Sequence, residues 1–376
     1  MGFSDFYGNS DVVTRLRDML ARGRFPHSVI LSGPRGSGKY TLAQMVAKAM
    51  NCLRAPCGEG LFDASAGSAL PDFCGECENC RRIAEAGDLE SRFSEAVEAR
   101  DSLRETDKKD TRIFIQTHPD VLVIPPDPPQ MMIKVDQVRQ VTRTIYHRPT
   151  QGGRRVYIFT DSAFMKEAAN ALLKVLEEPP DFATILLLTE NPGELLTTIR
   201  SRCVTFSLAP LPFDAIEKYL VTRRPDWNAA QRSLAARLSG GAVGAACAFD
   251  LETYSAARKD ALVLLATAVG AGDHSALFRV TETYRAGAEG RDKTEQLLRT
   301  MYSLLEDLLF LKSGTPELVR NRDALRELER LSAYREVDFN WITRAVQRLG
   351  DVESGMRRNL LRSLSLDAFV TSMQDA

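Results

Sequence analysis

The chain has 376 residues, room for two or three domains at the usual size of about 100–200 residues each. Lysine and arginine number 49 against 50 aspartates and glutamates, a net charge of −1. This excludes a protein that coats nucleic acid by bulk positive charge, though not one with a local basic face. No apolar run approaches the roughly 18 residues of a membrane span. The N-terminal MGFSDFYGNSD is acidic and lacks the apolar stretch of a secretory signal, so a cytoplasmic protein is expected.

The first 208 residues read as alternating strands and helices. A short apolar run, Ser28 to Ser32, ends at a glycine-rich turn, and a helix is predicted from Tyr40 to Met50. Val121 to Ile124, Val156 to Thr160 and Thr184 to Thr189 are further continuous apolar runs bounded by breakers, as in strands buried on both faces of a parallel sheet. The class is therefore α/β.

The turn after the first strand, Gly33-Pro34-Arg35-Gly36-Ser37-Gly38-Lys39, fits G-x-x-x-x-G-K between a strand and a helix. Backbone N–H groups of Gly33, Gly36, Ser37 and Gly38 can curl around phosphate oxygens at a helix N-terminus, with Lys39 reaching the outer phosphates. The next residue is ordinarily a serine or threonine whose hydroxyl ligates Mg²⁺. Here it is Tyr40, whose hydroxyl stands too far out along the ring, and Thr41 is turned by about 100° around the helix. Nucleotide binding (ATP or ADP) is thus expected without sound Mg²⁺ ligation. The strand at 156–160 runs into Thr160-Asp161-Ser162, one carboxylate where a hydrolytic site usually carries two. Asp161 reads equally as a remnant metal ligand or as the N-cap of the following helix.

Five of the seven cysteines, Cys52, Cys57, Cys74, Cys77 and Cys80, cluster after the phosphate-loop helix. Cys74, Cys77 and Cys80 form C-x₂-C-x₂-C, and Cys52 or Cys57 can complete four thiolates around a structural Zn²⁺. An iron–sulfur cluster takes the same donor set. Cys52 lies at the helix end, and the choice between it and Cys57 stays open on spacing. Cys203 and Cys247 read as small buried hydrophobes. Residues 89–112 are highly charged and read as a partly mobile helical surface insertion with a solvated face.

Past Pro210 the strand signal vanishes. Helices are expected at Phe213 to Arg223 and Ala229 to Leu238. Apolar stripes at helical spacing follow: Leu297, Leu298, Met301, Leu304, Leu305, Leu308, Leu309, then Trp341, Ile342, Ala345, Val346, Leu349, Val352. They predict a helical bundle.

Several segments together resemble the bacterial clamp-loader subunits of the AAA+ class. They are Phe3 to Gly8, Phe25-Pro26-His27, the cysteine insertion, His118-Pro119-Asp120, Ile133 to Arg139 and, most specifically, Ala168 to Pro180 (AANALLKVLEEPP) followed by Ser201-Arg202-Cys203. The resemblance is dense over the first 210 residues and architectural beyond. It implies an AAA+ P-loop core with a parallel sheet and a zinc module, residues 1–208 with the module at 52–80, and in the family pattern Cys52 rather than Cys57 is the fourth ligand. A small helical lid at 209–268 and an all-α collar at 269–376 would follow. It implies that Arg202 is an arginine finger acting in trans on a neighbour's ATP, although an ordinary surface arginine is the plain alternative. Gly240 to Ala245 lacks the sensor arginine of a working motor. A retained finger beside a degraded site is similar to the delta-prime type, whose own hydrolysis would be weak or absent. The partners then implied are gamma/tau and delta subunits in a hetero-pentameric ring that places a sliding clamp on primed DNA, in service of a polymerase rather than as a catalyst itself. An active gamma/tau-like ATPase, resting on Lys39 and Asp161, is the alternative. A zinc-bearing nucleic-acid-binding protein is an alternative of another class; within a loader ring, Arg139 and Arg143 on one helix are candidates for shared DNA contact.

Overall fold

Among the described residues, six strands form one sheet in the order β2-β3-β4-β5-β1-β6. They are β1 Ser28–Ser32, β2 Ile115–His118, β3 Val121–Ile124, β4 Arg155–Phe159, β5 Ala183–Thr189 and β6 Val204–Ser207. All pairings are parallel except β2 with β3. The computed structural model describes residues 2–54, 72–151, 153–285, 288–357 and 360–374. By contacts the chain divides into two units, Met1–Pro212 with Gly240–Ala245, and Phe213–Ser239 with Ala246–Ala376.

In the first unit every residue of β1 and β5 is buried. Successive side chains alternate between faces. Val29 and Leu31 therefore join Leu188 and Ile158 in one core, while Ile30 joins Ile185, Leu187 and Phe159 in the other. Helices α1 (Ser10–Ala21), α2 (Lys39–Asn51) and α3 (Glu78–Glu85) supply Leu16, Leu42, Val46 and Ile83 to the first core. The charged segment forms α4 (Leu89–Asp101) and α5 (Glu105–Asp110). Helices α6 (Val135–Thr144) and α7 (Lys166–Glu177) supply Val138, Val141, Leu172 and Val175 to the second core, and a short α8 (Thr197–Arg200) precedes β6.

The second unit is helical among its described residues. It comprises α9 (Phe213–Arg223), α10 (Ala229–Leu238), the end of α11 (Val243–Cys247), α12 (Leu251–Ala268), α13 (His274–Glu282), α14 (Ala288–Lys312), α15 (Leu325–Ser332), α16 (Phe339–Arg357) and α17 (Arg362–Gln374). Leu297, Leu298, Met301, Leu304, Leu305 and Leu308 of α14 meet Trp341, Ile342, Ala345, Leu349 and Val352 of α16 and Phe369 of α17 in one core. Leu309 and Val346 belong to the expected stripes but lie exposed. A buried charge in this unit is satisfied: Asp307 accepts the backbone N–H groups of Arg320 and Asn321 and the side-chain amide of Asn321. Among the described residues, no helix is long and apolar enough to cross a membrane.

Candidate functional site

The C-terminal ends of the parallel strands share one edge of the sheet, where open α/β folds bind ligands. Three loops meet there. After β1, residues 33–38 curl into α2, and Gly36 (φ 81°) must remain glycine, because a Cβ would lie 2.6 Å from the Ala245 nitrogen. The Gly244 N–H donates to the Gly36 carbonyl at 2.8 Å, so the Gly240–Ala245 segment lies backbone to backbone on this loop. Lys39 opens α2, and its Nζ donates to the carbonyls of Gly33 (2.6 Å) and Pro34 (2.9 Å). Burial lowers its pKa, partly offset by the carboxylates of Glu190 and Asp161. The Ser37 hydroxyl is buried inside the loop without a hydrogen-bond partner. An orphan donor there is suited to an anionic oxygen, which fits a phosphate cradle.

An open cleft of about 830 Å³ runs from Arg35, Gly36, Gly38, Lys39, Tyr40 and Thr41 to Thr160, Asp161, Ser162, Glu190 and Glu194. Its further wall consists of Leu89, Glu90 and Phe93 of α4 with Pro125, Pro126 and Met131. The α4 residues correct the expectation of a solvated insertion. Helix α4 buries no residue completely, so its composition hides the face that Leu89 and Phe93 pack against the core. The helix is pinned where Arg100 meets the fully buried Asp127 at 3.3 Å.

Tyr40 directs its hydroxyl to the Ala86 carbonyl at 2.6 Å and accepts from Gln44 Nε2 at 3.2 Å. Its hydroxyl therefore links the first turn of α2 to the segment just past α3. The Tyr40→Phe variant should lose about 1 kcal/mol by leaving the Ala86 carbonyl unpaired, a loss readable as a lower midpoint in urea. Asp161 is exposed and its Oδ1 accepts the Ala163 N–H at 2.9 Å, closing a turn. Helix α7 starts at Lys166 with Met165 as its N-cap, which overturns the N-cap reading of Asp161. Behind it, Ser162 donates to Glu194 at 3.2 Å and lies 2.9 Å from the Thr189 hydroxyl.

The cysteines form a second centre. Cys52 ends α2 as its C-cap, and Cys77 is the N-cap of α3. The sulfurs of Cys52, Cys74, Cys77 and Cys80 all lie within 4.8 Å of one another, with Cys52 and Cys74 3.6 Å apart. Four sulfurs about 2.3 Å from a tetrahedral ion would stand about 3.8 Å apart, so this set could hold one Zn²⁺ with no position left for water. An iron–sulfur cluster would need its thiols spread around a larger body. Backbone N–H groups of Cys74 and Cys77 point at the Cys52 and Cys74 sulfurs, as second-sphere donors to thiolates do. Cys57 lies outside the described residues. Cys203 and Cys247 are half-buried rather than buried, and burial pushes the Cys203 thiol up to about 12.

Arg202 occupies the exposed turn between α8 and β6 and does not line the cleft of its own chain. Its Nη1 donates to the Thr198 carbonyl at 2.9 Å, and its Nη2 lies 2.8 Å from a Glu177 carboxylate oxygen. Arg139 and Arg143 are both exposed on α6, and Arg139 pairs with Asp136 at 3.2 Å.

A largely parallel sheet with a G-x-x-x-x-G-K loop at its carboxyl edge defines a P-loop α/β fold. Residues 8–212 match the family described as DNA polymerase III, delta subunit, and the chain belongs to that family of clamp-loader subunits. It is 34% identical over 222 residues to the DNA polymerase III subunit delta' of Pseudomonas aeruginosa, covering 58% of this chain and 54% of that one. It is 38% identical over 206 residues to the delta' subunit of Escherichia coli, covering 54% and 58%. To the tau subunit of Escherichia coli it is 31% identical over 219 residues, covering 58% of this chain and 27% of that one. The match thus spans about a quarter to rather more than half of these relatives, and both subunit types are among them.

Proposed function

We propose that this chain is a delta-prime-like subunit of a DNA polymerase III clamp loader, which lends Arg202 to the ATP site of a neighbouring motor subunit. One observation carries the reading. A Ser-Arg-Cys arginine stands outside its own cleft, in a chain whose P-loop carries Tyr40, engaged with Ala86, where the metal-binding hydroxyl would be. A guanidinium presented to a neighbour's γ-phosphate would stabilise the charge that builds up during phosphoryl transfer. The chain's own cleft would hold ATP or ADP through the 33–39 loop, with hydrolysis weak because Asp161 is the lone carboxylate just past β4 and Tyr40 stands where a metal-binding serine or threonine would. Zn²⁺ on Cys52, Cys74, Cys77 and Cys80 would be structural. Residues 209–268 would act as lid and 269–376 as collar in a hetero-pentameric ring with gamma/tau and delta, and that ring would meet the sliding clamp and primed DNA. The test is reconstitution. The purified chain should co-assemble with gamma/tau and delta and restore their DNA-stimulated ATPase. Failure to assemble would remove the reading.

The motor alternative is favoured by Lys39 and by the unpaired Ser37 hydroxyl in the cradle. It requires robust ATP turnover by the isolated chain that disappears in Lys39→Ala.

A further inference from the structure

We infer that Glu177 is the positioning residue of Arg202: it fixes the guanidinium on its turn so that the unused donors face outward to a neighbour. The inference rests on the finger reading above and adds a residue that reading does not contain.

Glu177 is the last residue of α7. Ala168, Ala169, Leu172, Val175 and Leu176 bury that helix against the sheet, and Pro179-Pro180 follows directly after Glu178. The carboxylate therefore stands on a rigid platform whose end is fixed by packing and by proline. Its place is electrostatically adverse. The carboxyl end of a helix carries partial negative charge and favours lysine or arginine, yet Glu177 and Glu178 both sit there. Helix stability does not account for an acid at this position. Its resolved ion-pair partner is Arg202, at 2.8 Å. The two side chains keep 35% and 51% of their exposure, so the pair contributes little to folding.

The geometry suits orientation more than sequestration. A guanidinium carries five N–H donors in a planar fork. Thr198 O and Ser201 Oγ lie 2.9 and 3.4 Å from Nη1, and Glu177 engages Nη2. The Nε–H and the second Nη2 hydrogen remain for a phosphoryl oxygen. Arg202 can thus serve a neighbour without letting go of Glu177. A long flexible side chain held in one direction before docking loses less freedom when the transition state forms.

The test uses the reconstituted loader with primed DNA, measuring kcat and KM for ATP. Arg202→Ala defines the full loss. Glu177→Ala should lower kcat about three- to tenfold with KM for ATP unchanged, because the missing order is felt in the transition state. Glu177→Gln, which can still accept through its amide oxygen, should fall between. The double variant should be no slower than Arg202→Ala alone. If Arg202→Ala slows turnover and Glu177→Ala does not, or if the two losses multiply, the positioning role is overturned while the finger stands. If Arg202→Ala leaves turnover unchanged, the finger reading falls and this inference falls with it.

Discussion

Replacing Arg202 with alanine should slow ATP turnover by on the order of 10²-fold or more at the single site it serves in an assembled loader. The expectation follows from where the charge goes. Phosphoryl transfer spreads negative charge over the γ-oxygens, and a guanidinium in a site shielded from water stabilises it far better than in solution. Arg202→Lys should not rescue the rate, since a lysine is a point charge without the fork. The isolated subunit should be nearly indifferent. Its Arg202–Glu177 pair is largely exposed, so the urea midpoint should shift by less than about 1 kcal/mol in equivalent stability. Single-turnover measurement in loaders carrying only the variant subunit separates this site from the others. An unchanged rate would remove Arg202 from catalysis altogether.

The second large effect is on folding. Cys80 is fully buried, Cys52 closes α2 and Cys77 opens α3, so the four sulfurs join the C-terminal end of the phosphate-loop helix to the start of α3. The Asn79 amide adds a hydrogen bond to the Asn51 carbonyl at 2.9 Å. Metal binding in such a site is folding free energy. Cys80→Ser, or removal of the metal by a chelator, should therefore cost about 3 kcal/mol or more, with bound zinc falling from one per chain to near zero. Cys203→Ser should leave the metal in place and serves as the control. Metal analysis together with thermal melting decides the matter. One zinc retained in both Cys74→Ser and Cys77→Ser would defeat the assignment.

Strands β1, β3, β4 and β5 were legible because burial on both faces demands continuous apolar runs, and these stand out between breakers. The strands at the two sheet edges were not. β2 buries only Ile115 and His118, and in β6 only Phe206 is buried, so neither carries such a run. Cys74, Cys77 and Cys80 were readable from spacing, since metal ligands need few intervening residues, whereas Cys52, 22 positions before Cys74, was not fixed by spacing. Partners far apart in sequence were not readable. Tyr40 meets a carbonyl 46 positions away, and Glu177 lies 25 positions before Arg202. The α4 wall was hidden for another reason. A helix with six charged residues among thirteen and two apolar ones facing a cleft looks like a helix facing water.

Lys39 gives the loop around it a property that bears on how such motifs persist. Its ammonium holds the Gly33 and Pro34 carbonyls from inside, so the turn is cross-braced by one of its own residues. A lysine used in this way helps the loop keep its shape. Degenerate family members can therefore keep the G-x-x-x-x-G-K signature as scaffolding after the enzymatic use of the loop has been lost.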